Sequence, residues 1–350
     1  MLKKIPVLQI SVFVLIVIFS CFSFARQSGA EGLGKLKLLT ANIGNADVMN
    51  CGPEYMFKLC IVKWEKQIAD GIAAVSPDIV SLQEVFDVQW CERREKPEKS
   101  PKKACYNYKQ REPIQQVRRV LGPEYTIVCD GRANFECIGV KKTVGAIEGC
   151  GLGEMCNGAP AAITHELPED CDQKTVIFGV NAVIGGLKIR IINAHPSASE
   201  TNCRAAAIKR MFEGYGKILP LASMEIPTLA MGDLNMDPYR DDAAKPDVSI
   251  WRSYVGKGRP FRYLSGIAEN DPPLLTCAGR SIDQVITNFA GGSCKTLGAA
   301  PGTARLDNYP ADKPITEAPD HKAILCEIEI MPETAPRGSF PPQGGCGDGE

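Results

Sequence analysis

Short apolar runs rich in β-branched residues recur along the chain and predict nine β-strands. These runs lie at residues 36–39, 79–82, 125–128, 137–140, 176–180, 187–192, 228–231, 282–286 and 323–330. Three other segments carry apolar residues at helical spacing, at 57–75, 113–121 and 202–219. Strands interleaved with helices predict an α/β or α+β domain, which we expect to extend from about residue 35 to 330.

The first 25 residues have the pattern of a secretory signal. Lys3 and Lys4 precede an apolar run at 5–19, and Ser23-Phe24-Ala25 offers a small-x-small cleavage step. The alternatives are lipidation at Cys21 and an uncleaved anchor, for which the run is shorter than the roughly 20 residues of a membrane span. Cleavage of this segment would remove its two lysines and change the net charge from −1 to −3. A chain with that net charge does not attract polyanions in general, so any contact with nucleic acid must be local.

The cysteines predict disulfides, because cleavage after Ala25 would leave 14 of the 15 in an oxidising compartment. A zinc site is disfavoured, since no C-x-x-C pair occurs in the sequence. The connectivity stays open, with up to seven bridges possible. The pairs near enough in sequence to close local loops are Cys51 with Cys60, Cys91 with Cys105, Cys150 with Cys156, and Cys277 with Cys294.

Two segments differ in composition from the predicted core. Residues 89–119 contain ten Lys and Arg against four Glu, and they predict a basic surface insertion, solvated and held by a disulfide. Residues 331–350 are rich in Pro and Gly and predict an extended tail, tied down through Cys346.

Acidic, amide and imidazole side chains collect at the ends of the predicted strands, where a rigid sheet can carry them into one cleft. They are Asn42, Glu84, His195, Asp233, Asn235, Asp283, Asp320 and His321. Singly they have ordinary explanations, such as Glu84 capping a helix, Asp233 forming an Asx-turn with Asn235, or His321 filling a satisfied pocket. The third histidine of the chain, His165, lies in a loop and receives no role.

Together these side chains suit hydrolysis of a phosphate ester. Glu84, Asp320 and Asn42 offer hard oxygen ligands for Mg²⁺ or Mn²⁺. Asp233 and Asn235 can position and deprotonate a water molecule.

The two remaining groups of the set supply imidazole chemistry. His321 paired with Asp283 would be held in one tautomer and stay cationic near phosphate. His195 would offer a second proton donor or phosphate contact from the other side.

Five short motifs, in chain order, resemble those of the endonuclease/exonuclease/phosphatase superfamily. They are Thr40-Ala41-Asn42, Leu82-Gln83-Glu84, Gly232-Asp233-Leu234-Asn235, Ser281-Ile282-Asp283-Gln284 and Pro319-Asp320-His321. The resemblance implies an α+β fold, a four-layered α/β/β/α sandwich of two mixed β-sheets (DNase I-like), with the site at one edge. Pro319 replaces the usual serine and Gln284 an aromatic or aliphatic residue, and neither change removes a catalytic group.

The resemblance also narrows the function. His195 stands at a position where abasic-site endonucleases carry asparagine. The loop that contains His195 is similar to the histidine loop of secreted DNase I. By the same resemblance, Glu136 would correspond to the glutamate that pairs with this histidine. This implies an exported, Mg²⁺-dependent phosphodiester hydrolase, with nucleic acid slightly preferred because of the basic insertion. The alternatives are a sphingomyelinase-like phospholipid phosphodiesterase, a phosphomonoesterase, or a non-catalytic binding subunit. No obligate protein partner is expected.

Overall fold

The computed structural model describes the following residues: 35–44, 62–85, 115–131, 136–164, 168, 170–171, 176–215, 219–265, 273–277, 279–297 and 321–330. The predicted signal, most of the basic insertion and the C-terminal tail lie outside these ranges, as do Asp320 and His165. Within them, none of the helices has the length and apolarity needed to cross a membrane.

Fourteen strands and four helices occur in the described residues. The strands are β1 (Leu36–Asn42), β2 (Ile79–Gln83), β3 (Tyr125–Cys129), β4 (Cys137–Lys141), β5 (Gly145–Ile147), β6 (Met155–Asn157), β7 (Ile163–Thr164), β8 (Val176–Ile184), β9 (Leu187–His195), β10 (Thr228–Asp233), β11 (Arg262–Tyr263), β12 (Asp283–Thr287), β13 (Ala290–Leu297) and β14 (Ala323–Ile330). The helices are α1 (Val62–Val75), α2 (Gln116–Leu121), α3 (Thr201–Glu213) and α4 (Pro246–Tyr254).

The strands form two mixed sheets of seven strands each within the described chain. Sheet 1 has the order β13-β14-β1-β2-β4-β3-β6, with β1 parallel to β2 and antiparallel to β14. Sheet 2 has the order β11-β12-β10-β9-β8-β5, with β7 also paired to β8 and with β9 parallel to β10. The ends of β1, β2, β9 and β10 therefore carry the residues that the motifs singled out.

Alternation along each strand gives every sheet one helix-facing side and one side facing the other sheet. Leu39 of β1 packs with Ile68 and Ile72 of α1, and Ile192 of β9 packs with Ile208 of α3. Helices thus cover the outer faces and two sheets meet in the middle. The predicted α/β/β/α sandwich with two mixed sheets is confirmed.

All nine predicted strands form, but the strands β5, β6, β7, β11 and β13 and the helix α4 were not predicted. β13 contains two consecutive glycines, Gly291 and Gly292, and alternates poorly, so its sequence favours a strand only weakly. It is held by pairing along its whole length with β14. α4 has few apolar residues, and burial of Val248 and Trp251 against sheet 2 stabilises it.

The end of the predicted basic insertion belongs to the core. Val117 and Val120 of α2 are buried, and Arg118 donates to the backbone oxygens of Tyr125 and Gly153 at 2.7 and 3.1 Å. Arg119 is paired with the buried Glu65. The charges of these two arginines are therefore used inside the fold, and only the earlier part of the stretch, outside the described residues, can form the predicted basic surface.

Four disulfides lie within the described residues. They are Cys129–Cys137, Cys150–Cys156, Cys171–Cys203 and Cys294–Cys326. The suggested Cys150–Cys156 bridge is confirmed, whereas Cys277–Cys294 is wrong and Cys277 is free. Cys294 lies directly opposite Cys326 in the β13–β14 ladder, so sheet pairing brings together two cysteines that are distant in sequence. The suggested pairs Cys51–Cys60 and Cys91–Cys105 lie outside the described residues.

At Gly232, β10 lies so close to β9 that the position has no room for a side chain. Its φ is +144°, and a Cβ atom there would lie 2.1 Å from the carbonyl oxygen of Ala194. A side chain would therefore push apart the two strands whose ends carry Asp233 and His195.

We predict that Gly232→Ala lowers the free energy of unfolding by about 2–6 kcal/mol, because backbone strain and overpacking each contribute about 1–3 kcal/mol. The matched control is Gly186→Ala, at a φ of +85° with nothing within 4 Å of the new Cβ. We expect it to cost only about 1 kcal/mol. Urea denaturation measures both, and equal losses would contradict the steric argument.

Candidate active site

The predicted site residues meet between the two sheets, at one edge of the sandwich. Asn42 follows Leu38 and Thr40 on the inner face of β1, and it reaches across to Asp233 at the end of β10. Asp233 in turn lies directly opposite Asp283, the first residue of β12, in the antiparallel ladder. The period of two along each strand therefore brings these side chains into one space.

Asp233 lies at the centre of the group. Its Oδ1 accepts a hydrogen bond from the backbone N–H of Asn235 at 2.8 Å, which is the Asx-turn expected from the sequence. Its Oδ2 lies 3.1 Å from Asn42 Nδ2, 3.7 Å from His195 Nε2 and 3.6 Å from His321 Nε2. One buried carboxylate oxygen thus faces an amide and two imidazoles.

His195, the last residue of β9, is held by Glu136 just before β4. Its Nδ1 lies 2.8 Å from Glu136 Oε1, and its Nε2 lies 3.7 Å from Glu84 Oε1. Burial lowers the pKa of His195, but the Glu136 hydrogen bond and the charges of Glu136, Asp233 and Glu84 outweigh it and raise the pKa to about 9. The ring is therefore cationic at neutral pH and presents Nε2–H to the cleft.

His321 forms a second pair of the same kind, just before β14. Its Nδ1 lies 2.9 Å from Asp283 Oδ2, and Asp283 Oδ1 is buried with no hydrogen-bond partner among the described residues. Burial lowers the pKa of His321, but the charges of Asp283 and Asp233 and the hydrogen bonds that the ring forms with Asp283 and Cys277 raise it well above its usual value. Two carboxylate-held imidazoles thus flank Asp233 from different sheets.

Glu84 is the accessible carboxylate of the group. It follows β2 with a φ of 56°, a left-handed conformation that is rare for glutamate and that ends the alternation of the strand. Its side chain is 18% exposed, whereas Glu136, Asp233 and Asp283 are almost completely buried. Glu84 Oε1 accepts from Asn42 Nδ2 at 3.3 Å, so one amide links two carboxylates.

These residues fit a divalent cation. Four carboxylates, when ionised, face two imidazolium rings, which leaves two negative charges for a cation to neutralise. Glu84 suits Mg²⁺, because that ion keeps several waters and needs an accessible carboxylate. The predicted ligand Asn42 turns its Nδ2 toward the carboxylates while its Oδ1 accepts from Gly44 N–H at 3.0 Å, so here it bridges the ligands.

A second set of atoms could also surround a cation. Ligand atoms of Asp233, Asp283 and His321 lie within 4.8 Å of one another. However, all three of these side chains are buried, whereas a cation that keeps several of its waters needs an accessible ligand. We therefore favour Glu84 as the ligand. Asp320, the other predicted ligand, lies outside the described residues, so its role stays a prediction.

The loop after His195 is fixed by a buried Arg–Asp pair that the sequence did not single out and by one predicted site residue. Arg204 of α3 donates to the backbone oxygens of Ser197 and Ala198 at 2.8 and 3.2 Å, and its Nε pairs with Asp247 of α4 at 2.5 Å. Asn235 Nδ2 donates to Pro196 O at 3.0 Å, so this predicted site residue fixes the histidine loop. A buried Arg–Asp pair on two helices has no local sequence signal.

We predict that NMR titration in EDTA gives His195 a pKa near 9, and that Glu136→Gln lowers it because burial is then opposed by fewer charges. The pKa of an unfolded histidine is near 6.5. The stability that this ion pairing contributes is therefore fully present below about pH 6.5 and is lost as the pH rises through 9. Glu148→Gln, at an exposed pair with Lys188, should leave the His195 pKa unchanged. A native pKa at or below 6.5 would contradict this.

Solved structures with a similar fold exist, although their sequences differ strongly from this chain. No protein-family model and no curated protein sequence matches the chain. A humanized D. rerio TDP2 with 14 mutations is 13% identical, with a TM-score of 0.50 over 85% of this chain and 99% of its own. A truncated Caenorhabditis elegans TDP2 is 15% identical, with a TM-score of 0.50 over 85% and 99%.

The human Nocturnin catalytic domain, solved with a bound sulfate anion, is 13% identical, with a TM-score of 0.50 over 86% of this chain and 95% of its own. Identities this low support the fold and not the activity. The chain therefore shares the fold of these proteins, an α+β sandwich of two mixed sheets, which is the DNase I-like fold that the resemblance of its motifs implies.

Proposed function

We propose that this protein hydrolyses phosphodiesters with the aid of a divalent cation. The observation that carries the proposal is that His195 and His321, each held by a carboxylate at Nδ1, direct Nε2 toward the same oxygen of Asp233. Hydrolysis of a phosphate ester needs a base for the attacking water, a proton for the leaving oxygen, and positive charge near the phosphoryl group. Asp233 can act as the base, and the two histidines can supply the proton and the positive charge.

The chain's own residues divide the work as follows. Asp233 Oδ2 accepts a proton from water, and Asn42 Nδ2, at 3.1 Å from that oxygen, orients the carboxylate. A cationic His195 or His321 binds a phosphoryl oxygen or donates its Nε2 proton to the leaving oxygen. Glu136 and Asp283 accept a hydrogen bond from Nδ1–H of His195 and of His321, and so keep Nε2 of each ring directed toward the cleft.

A divalent cation would be held mainly by Glu84, with Asp320 as the second predicted ligand. When bound, it would offset negative charge on the phosphoryl oxygens and on the leaving group. Asn42 supports this site by fixing the orientation of the Glu84 carboxylate.

A non-catalytic binding subunit is less well supported, because a binder needs only one cationic ring and not two oriented ones. Nucleic acid remains the first substrate to test, although Arg118 and Arg119 of the basic stretch are engaged within the fold. The deciding assay compares plasmid DNA, sphingomyelin and inositol phosphates with Mg²⁺ and with EDTA. If the protein hydrolyses none of these substrates, the proposed function is rejected.

We propose also that the protein is exported, as the leader sequence indicates. Four disulfides among the described residues support this, because such bridges persist in oxidising compartments. Mass spectrometry of protein from its native source should show a chain that begins near Arg26 with these four bridges formed. A reduced, intracellular chain that retains Met1 would contradict export.

We predict that EDTA abolishes activity, that Mg²⁺ or Mn²⁺ restores it, and that Glu84→Ala raises the half-activating Mg²⁺ concentration by at least about 10-fold. The reason is that Glu84 is the accessible carboxylate of the group, and even indirect supports of a metal site contribute about 10- to 100-fold in affinity. Glu148→Ala removes a carboxylate from the Lys188 surface pair and should change nothing. Normal Mg²⁺ activation of Glu84→Ala would remove Glu84 from the site.

We predict that His195→Ala and His321→Ala each lower kcat by at least about 100-fold, since loss of a general acid or base typically costs about 10² to 10⁴ in rate. Asp283→Asn should resemble His321→Ala, because it removes the charge that orients the ring. His165→Ala is the matched control and should be nearly silent. Circular dichroism checks folding, and a harmless His195→Ala would require the site to be redrawn.

A further inference from the structure

A buried amide contact joins the two sheets directly beneath the site. Gln83, the last residue of β2 in sheet 1, donates from Nε2 to Asn193 Oδ1 of β9 in sheet 2 at 2.9 Å. Both side chains are completely buried. The same Gln83 Nε2 lies 3.0 Å from Ser81 Oγ and 3.4 Å from Thr40 Oγ1, so its position in sheet 1 is also fixed.

All the side-chain hydrogen bonds that the structure gives Asn193 cross to sheet 1. Its Nδ2 donates to Leu82 O of β2 at 2.9 Å and to Cys137 O of β4 at 3.1 Å. Leu82 and Cys137 are direct partners in the β2–β4 ladder. The orientation of the Asn193 amide is unambiguous, because a flipped amide would place its oxygen against two carbonyl oxygens.

The three strands that meet at Asn193 are those that carry one half of the site. Glu84 follows Gln83 on β2, Glu136 precedes Cys137 on β4, and His195 lies two residues after Asn193 on β9. The Glu136–His195 hydrogen bond of 2.8 Å and the Glu84–His195 contact of 3.7 Å each join one sheet to the other. Their lengths therefore depend on the spacing of the two sheets at this point.

Stability alone does not explain these amides. Gln83 Oε1 is buried with no hydrogen-bond partner among the described residues, which is unfavourable, and an apolar side chain would avoid it. We infer that Asn193, held by Gln83, is the positioning residue that sets the sheet spacing at the site and thereby holds His195 against Glu136 and beside Glu84. The inference assigns Asn193 no contact with substrate or metal, and its catalytic readout rests on the proposed function.

The test compares Asn193→Leu with Asn288→Leu. Asn288 is a matched control, because its amide also makes three hydrogen bonds, to Thr228 N–H, Ser223 O and Ile226 O, but at the other end of β10. Displacement of reacting groups by about 1 Å can cost about 100-fold in rate. At comparable losses of unfolding free energy in urea, we expect Asn193→Leu to lower kcat by about 100-fold and Asn288→Leu to leave it near that of the unmodified protein.

A second readout does not depend on activity. The chain has only three histidines, so ¹⁵N-histidine NMR resolves each ring. In Asn193→Leu, the Nδ1–H resonance of His195 should lose its hydrogen-bonded shift, whereas that of His321 should stay, because its partner Asp283 lies on β12, away from this contact. If the unmodified protein hydrolyses no phosphodiester, the proposed function fails, and the His195 resonance still decides the positioning role.

The inference is overturned if folded Asn193→Leu keeps normal kcat and the normal His195 resonance, or if Asn288→Leu loses as much kcat. If Asn193→Leu does not fold, Gln83→Met takes its place, since it removes the 2.9 Å contact and keeps the side-chain volume. We expect Gln83→Met to lower kcat about 10-fold and to shift the same resonance. Normal values of both would overturn the inference as well.

Discussion

The burial of charge between two apolar sheets is the constraint on which this structure depends. Glu136, Asp233 and Asp283 are almost completely buried, in a sandwich whose interior is otherwise mostly aliphatic. A carboxylate in such surroundings is strongly unfavourable unless it is paired and hydrogen-bonded. His195 and His321 provide the pairing, so the two imidazoles that the proposed chemistry uses also allow the fold to contain its carboxylates.

The same constraint explains the symmetry of the site. Each imidazole uses Nδ1 for a fully buried carboxylate and directs Nε2 toward Asp233, which leaves one ring edge for structure and one for chemistry. The histidines come from different sheets, so their common approach to Asp233 exists only where the sheets are packed. Gly232 allows β9 and β10 to come close enough for this, and the buried amides beneath hold the two sheets at the spacing that the site requires.

Accessibility then separates the roles of the carboxylates. Glu84 has a partly exposed side chain, because its left-handed backbone turns the chain out of β2 at that point. A hydrated cation and a phosphoryl group can therefore approach from its side, while the His–carboxylate pairs stay shielded from water. Shielding from water strengthens each charge interaction within the cleft.

The sequence determined the elements and the residue types of this protein. Alternating or continuous apolar runs predicted all nine strands, and polar residues at strand ends predicted a shared cleft. The structure brings six of these residues together, namely Asn42, Glu84, His195, Asp233, Asp283 and His321. These signals are local, because an apolar run and the polar residue that follows it lie within a few residues of each other.

Only the tertiary structure decided the rest. The Cys294–Cys326 bridge, the strand β13 and the contact between Gln83 and Asn193 all join segments that are far apart in sequence, and none carries a local pattern. The direction of the Asn42 amide toward two carboxylates was likewise set by neighbours on other strands. Hydrogen bonds and bridges of this kind depend on which strands lie side by side, and sheet order is a property of the packed chain as a whole.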